Sequence, residues 1–186
     1  MTQIYKWLFD LGNKAPRTIQ QGLPLLGVQE VVGKGSNKTI LGWRDELNQA
    51  AGVNPLAAPI SGFSDDDIAW CGLFVAVVVF RAGKQVVDEP LWARSWCSFG
   101  QEADVASLGD VLVFSRPGGG GHVGFYVGED DHCFHVLNGN ARNRVEITRI
   151  EKKRCLAVRR PLYRHRPATA RPRKLEPTGA VSTNER

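Results

Sequence analysis

Cys71 follows Trp70 and opens the apolar run Gly72-Leu73-Phe74-Val75-Ala76-Val77-Val78-Val79-Phe80. A thiol at the entry to a buried helix sits against unpaired backbone N–H groups and the positive end of the helix dipole, both of which favour the thiolate. Attack on a carbonyl also needs a base. His122, in Gly121-His122-Val123-Gly124-Phe125-Tyr126-Val127-Gly128, is the residue placed to be one. His122, Gly124, Tyr126 and Gly128 alternate with Val123, Phe125 and Val127, the period-2 pattern of a half-buried strand. A third group must hold the imidazole in the tautomer that accepts the thiol proton. The next strand ends Val136-Leu137-Asn138-Gly139-Asn140, so the amide of either Asn138 or Asn140 can do this, with Asn138 preferred. A cysteine and a histidine far apart in sequence, with an amide to orient the ring, are the parts of nucleophilic thiol catalysis.

The elements that must position these groups are read as helices first and strands afterwards. Residues 18–32 read as a helix interrupted at Pro24, and 39–51 as an amphipathic helix capped by Asn37 or Thr39. The cysteine helix is expected over 67–82, with Ser64-Asp65-Asp66-Asp67 supplying cap oxygens and an acidic first turn, and a further helix over 89–99. Strands follow at 110–116, 122–129, 133–138, 143–150 and 155–161. Helices segregated before strands argue an α+β fold, with the cysteine helix packed on a five- to six-stranded antiparallel sheet. The flexible connection Arg116-Pro117-Gly118-Gly119-Gly120-Gly121 brings His122 beside a loop that opens onto a cleft. Trp70 and Trp96 are expected to wall that cleft, with Gly121 at its edge.

The chain has 186 residues, of which 42% are hydrophobic and 23% charged, enough for one core of ordinary size. Three segments are expected: an N-terminal helical arm (1–16), the main domain (17–161), and a disordered tail (162–186) that is basic and proline-rich. The net charge of +5 sits largely in that tail and in Lys152-Lys153-Arg154, and no nucleic-acid motif accompanies it, so no nucleic acid is expected as partner. No apolar run is long enough to span a bilayer, and Met1-Thr2-Gln3-Ile4-Tyr5-Lys6-Trp7 lacks the plan of a signal peptide. Cys133 and Cys155 flank neighbouring strands and are candidates to pair in an oxidising compartment, although no disulfide framework is apparent and Cys97 is left over. His132 and His135 are weaker bases, and His135 with Cys133 lacks a second clustered pair, so no metal site is expected. Gly33-Lys34-Gly35-Ser36-Asn37-Lys38-Thr39 lacks the Gly-Lys-Thr ending of a phosphate loop. Asp65, Asp66 and Asp67 read as a cap rather than a calcium loop, and Asp110 as a turn residue.

Trp70-Cys71 before an apolar helix, then Leu108-Gly109-Asp110-Val111-Leu112-Val113-Phe114, then Gly121-His122-Val123-Gly124, resembles the NlpC-type and CHAP-type cysteine peptidases of bacterial cell walls. Gly35-Ser36-Asn37, Ala93-Arg94-Ser95-Trp96 and Val136-Leu137-Asn138-Gly139-Asn140 extend the resemblance to small phage-borne and secreted members, over roughly residues 17 to 161. Gly72 stands where many relatives have Ala or Ser, and Asn138 where relatives often have Gly or Glu. The resemblance implies a papain-like fold and hydrolysis of amide bonds in peptidoglycan, within stem peptides or at the glycan–peptide junction. Cys71 would be nucleophile, His122 base and acid, and Asn138 or Asn140 the orienting residue, with no cofactor. It further implies a monomeric phage lysin or antibacterial effector, made in the cytoplasm and exported by a holin or secretion system. The tail would be solvated or drawn to anionic wall polymer or membrane, and an immunity or inhibitor protein is a further partner. Two other functions fit the same residues: a deamidase or acyl-transfer enzyme acting on protein or lipid, and a non-catalytic wall-binding module.

Overall fold

A computed structural model describes residues 3–183. Its α-helices are α1 (Lys6–Asp10), α2 (Arg17–Gly22), α3 (Lys38–Ala50) and α4 (Cys71–Arg81), followed by a 3-10 helix, Ala93–Ser98. The strands are β1 (Gln101–Glu102), β2 (Val111–Ser115), β3 (Gly121–Glu129), β4 (Cys133–Ala141), β5 (Arg144–Glu151) and β6 (Cys155–Arg160). They form one six-stranded sheet in the order β1-β6-β2-β3-β4-β5, every neighbour antiparallel. The chain is therefore α+β with a six-stranded antiparallel sheet.

Every residue of α4 from Cys71 to Val79 is buried. A helix apolar on all sides needs a partner on all sides, and α4 packs against α2, α3, β3 and β4. Its register is set by close ring contacts and by missing side chains. Phe74 packs edge-on to Phe125 of β3 at 6.0 Å and lies tilted to Trp43 of α3 at 6.1 Å. At Gly139 of β4 a β-carbon would lie 2.5 Å from Phe74 Cβ and 2.8 Å from Trp70 Cζ3. That contact holds the start of α4 directly on β4, at the end of the sheet where His122 begins β3.

Several expected boundaries move. The α3 cap is Asn37, whose Oδ1 accepts the Thr39 N–H at 2.7 Å. Helix α4 begins at Cys71 rather than 67, because the preceding acids serve a loop instead of capping the helix. Buried Asp66 accepts the main-chain N–H groups of Val31 (3.0 Å) and Asn37 (2.8 Å) and ties that loop to the approach of α4. The expected helix over 18–32 stops at Gly22 and ends in one 3-10 turn, Leu23–Leu25. Past it, Gly27, Val28 and Glu30 exchange main-chain hydrogen bonds with Val145 and Asn143, adding a rung to the edge of β5. The expected helix over 89–99 is reduced to the 3-10 helix Ala93–Ser98.

The largest correction concerns the two ends. The tail is not disordered over its described part, 162–183. Its main chain pairs with the body: Leu108 N–H to Arg171 O, Glu129 N–H to Arg173 O, Leu175 N–H to Glu129 O, and Ser182 N–H to Arg149 O, all at 2.7–3.1 Å. The Arg173 guanidinium lies 3.6 Å over the Trp7 ring, and Leu175 occupies the space left by Gly128, where a β-carbon would fall 2.4 Å from Leu175 Cδ1. Main-chain pairing needs no apolar composition, which is why a basic, proline-rich sequence hid it. At the other end Tyr5 and Leu8 are core residues. One core thus draws on residues before 17 and after 161, and neither expected boundary separates a unit. Residues 184–186 lie outside the described residues. No helix among the described residues is long and apolar enough to cross a membrane.

Candidate active site

Cys71 is the first residue of α4, and only 4% of it is exposed. Its thiol is reached by the backbone N–H of Val123, the residue after His122, and by the N–H groups of Gly72 and of Cys71 itself. Burial pushes this thiol above the ordinary cysteine range; the Val123 N–H, the Arg116 guanidinium and the two helix-terminal N–H groups pull the other way without cancelling it. At rest the group is therefore a protonated thiol, seated in N–H donors that would favour negative charge.

His122 is the second residue of β3 and is fully buried. Its Nε2 lies 2.5 Å from Asn138 Oδ1 on β4. The amide of Asn138 can adopt only one orientation, because its Nδ2 points at the main-chain oxygens of Val136 (2.8 Å) and Glu146 (3.0 Å) and at Thr148 Oγ1 (3.1 Å). Carbonyls only accept, so Nδ2 donates and Oδ1 must accept. His122 Nε2 consequently carries the proton and donates it to Asn138, and Nδ1 is the basic nitrogen of the neutral ring. Asn140 does not share this role. It sits at the irregularity between Asn138 and Ala141 with φ +55°, and its Oδ1 has no hydrogen-bond partner among the described residues.

The surroundings are closed. Gly72 lies beneath the chain at 90–91: a β-carbon there would fall 2.2 Å from Pro90 O and 2.6 Å from Leu91 O. On the histidine side, Arg94 Nε donates to Gly120 O at 2.9 Å, and Ala93 and Arg94 pack on Gly121. Gly118, Gly119 and Gly120 all have positive φ, which leaves this turn to glycine. Trp70 and Trp96, expected to wall a cleft, are both completely buried instead. Trp70 Nε1 donates to Glu30 and its ring lies 6.0 Å from Trp43, while Trp96 Nε1 donates to Pro90 O at 3.0 Å and holds the covering segment from below. Both are large enough to be spent on the core.

Thr148, which no sequence motif marked, helps fix the Asn138 amide, and Arg94, present in the sequence reading only within Ala93-Arg94-Ser95-Trp96, latches the glycine turn. The strand alternation around Thr148 was the signal available for the first, and no spacing rule marks the second.

The remaining polar candidates form separate structures. Asp110 is fully buried and pairs with Arg160, Nη2 to Oδ2 at 2.8 Å, so it anchors β2 to β6 rather than merely turning the chain. His135, also buried, bonds Tyr5 Oη through Nδ1 (2.6 Å) and Asp130 Oδ2 through Nε2 (3.1 Å), while Arg149 Nε donates to the same carboxylate oxygen at 2.7 Å. Burial works against the charge of Asp130, yet Arg149, the His132 and Cys133 N–H groups and His135 hold it well below the usual carboxylate range. Burial pushes His135 below the ordinary imidazole value, with Asp130 opposing. Cys133 and Cys155 cannot pair as expected, because strands β2 and β3 stand between β4 and β6. All four cysteines are free. No group of metal-ligating side chains occurs among the described residues.

The fold and site define a class: an α+β protein with a cysteine at a helix start and a histidine–asparagine pair on adjacent strands beside it. No protein-family model and no curated protein matches the chain.

Proposed function

We propose that the chain is a papain-like cysteine hydrolase of peptidoglycan, cutting an amide bond in a stem peptide or at the glycan–peptide junction. The observation that carries this reading is the His122–Asn138 pair with its single permitted amide orientation, at the strand whose next N–H reaches the Cys71 thiol. His122 Nδ1 removes the thiol proton as substrate arrives, and Asn138 keeps Nε2 protonated so that Nδ1 is the basic atom. The thiolate attacks the carbonyl carbon, and the oxyanion is met by N–H donors at the start of α4. His122 returns the proton to the leaving amine, and water then releases the acyl group from sulfur. With so little of Cys71 exposed, approach to sulfur requires the surrounding chain to give, and the glycine turn Gly118–Gly120, held by Arg94, is the segment beside His122 with the freest backbone.

Purified sacculi and defined muropeptides test this directly, with released fragments identified by mass spectrometry. The wild type is expected to release new amine and acid termini, and Cys71→Ala to release none while keeping its fold. Retained hydrolysis by Cys71→Ala would end the reading. New termini on protein or lipid substrates alone would favour the deamidase or acyl-transfer alternative.

One observation favours a second reading, the non-catalytic wall-binding module: the thiol is closed off and its burial favours the protonated form. Alkylation at neutral pH separates the two. If Cys71 reacts no faster with wall fragments bound than without, it behaves as a core thiol.

A further inference from the structure

Residues Pro90 to Arg94 touch both halves of the site. The carbonyls of Pro90 and Leu91 rest on Gly72, next to the nucleophile, and Ala93 and Arg94 rest on Gly121, next to His122. The turn that carries them is rigid. Trp92 N–H donates to Glu89 O and Ser95 N–H to Trp92 O, both at 3.0 Å, Glu89 is held at φ +49°, and Trp96 anchors Pro90 O from the core. On this turn stands Trp92. Trp43, Trp70 and Trp96 are buried and Trp7 lies under Arg173, but Trp92 leaves 68% of its surface in water.

A single exposed apolar residue is ordinary on a protein surface. Trp92 differs in being a broad ring on a hydrogen-bonded turn, within two residues of contacts to the neighbours of both Cys71 and His122. Its neighbours Asp88, Glu89 and Arg94 are all exposed and charged. A protein-docking surface would need a contiguous apolar patch of several hundred Å², and the exposed residues close to Trp92 in the chain are charged instead. A flat, exposed indole on a turn that also carries exposed charged residues suits a ligand with an apolar face and a polar perimeter. A pyranose ring is such a ligand: its axial C–H face stacks and its hydroxyls bond.

We propose that Trp92 is the platform of a carbohydrate subsite, which stacks on a sugar of the glycan carrying the cleaved peptide and makes the protein prefer sugar-bearing stem peptides over free ones. This inference rests on the hydrolase reading, and it needs Trp92 to act on binding rather than on the chemical step.

The test compares wild type, Trp92→Ala and Trp92→Phe on a muramyl peptide and on the same stem peptide without sugar. Trp92→Ala should raise KM for the muramyl peptide about tenfold, equivalent to ~1.4 kcal/mol, with kcat within about twofold and the sugar-free peptide unaffected. Trp92→Phe should recover part of the loss. An unchanged KM for the muramyl peptide, or an equal loss on both substrates, would overturn the inference. A second measurement is independent of turnover: titration of Cys71→Ala with an N-acetylglucosamine–N-acetylmuramic acid disaccharide, followed by tryptophan fluorescence. A saturable change that disappears when Trp92→Phe is added supports the subsite even if no substrate is cleaved, and its absence overturns it. Failure of wild-type hydrolysis on every wall substrate would instead sink the hydrolase reading.

Discussion

Gly72→Ala reads the closeness of α4 to the chain that covers its start, and helix propensity and packing predict opposite signs for it. Alanine is favoured over glycine within a helix by up to about 1 kcal/mol, and Gly72 is the second residue of α4. The added β-carbon would fall 2.2 Å from Pro90 O, 2.6 Å from Leu91 O and 2.9 Å from Leu91 C, all of them backbone atoms with no rotamer to change. The two segments must part by about an ångström before ordinary contact returns, and overpacking of that kind costs roughly 1–3 kcal/mol. Pro90 O also accepts the Trp96 Nε1–H at 3.0 Å, so a shift strains a buried hydrogen bond of net worth about 0.5–1.5 kcal/mol. The net expectation is destabilisation by about 1–3 kcal/mol, or roughly 2–4 °C of Tm for each kcal/mol. The proposed hydrolysis should fall at least about tenfold, since the displaced atoms adjoin Cys71. Gly42→Ala supplies the control: it lies within α3, and a β-carbon there meets nothing within 4 Å. Gly42→Ala should hold or raise Tm. Thermal unfolding and muropeptide release on both variants check the pair, and a Gly72→Ala protein as stable and active as the wild type would refute the reasoning.

Asn138→Ala removes the acceptor that faces His122 Nε2, a buried hydrogen bond whose loss costs about 1–3 kcal/mol; on the proposed hydrolase reading kcat should fall by orders of magnitude with little change in KM, as steady-state kinetics on a muropeptide would show. Removal of residues 162–186 should lower Tm and the urea midpoint markedly, because the described part of this tail supplies Leu175 to the core and paired main chain to β3 and β5; an unchanged midpoint would contradict that packing. His135 titrates below its ordinary value in the folded protein, so the unfolded chain takes up its proton first as pH falls. Its contribution to stability is complete above about pH 6.5, declines as pH drops below that, and stops declining below the folded value. Urea midpoints between neutral and mildly acid pH should show this slope in the wild type and lose that part of it in His135→Gln.

The parts of the fold that follow from side-chain periodicity were legible in the sequence, and the parts built by main-chain pairing or long-range packing were not. Strand alternation around His122 and the apolar run after Cys71 located β3 and α4 to within a few residues. The helix expected over 18–32 gives way because residues 27–30 pair with the edge of β5, a choice that local propensity does not encode. Ser64-Asp65-Asp66-Asp67 has the composition of a cap, but Asp66 turns inward to hold the 31–37 loop. The same limit governs the tryptophans: aromatic character suggested binding surface for Trp70 and Trp96, and burial, which sequence does not report, leaves Trp92 exposed instead. Asn138 and Asn140 share a strand parity, so alternation alone left them equivalent. The irregularity that sets Asn140 at positive φ separates them.

An asparagine at position 138 also suits both sides of its surroundings. The nitrogen side of its amide faces two main-chain carbonyls and the Thr148 hydroxyl, and the oxygen side faces the His122 ring. Only a group that donates at one end and accepts at the other satisfies both. A carboxylate would set negative oxygen against two carbonyls in a place with no exposure, a charge burial costing several kcal/mol. Asn138→Asp should therefore fail to substitute for the amide although it keeps an oxygen for His122. Burial of the Cys71 thiol favours its protonated form. On the proposed hydrolase reading, the thiol proton would move to His122 Nδ1 as substrate enters and the developing charge on the carbonyl oxygen meets the N–H groups at the start of α4.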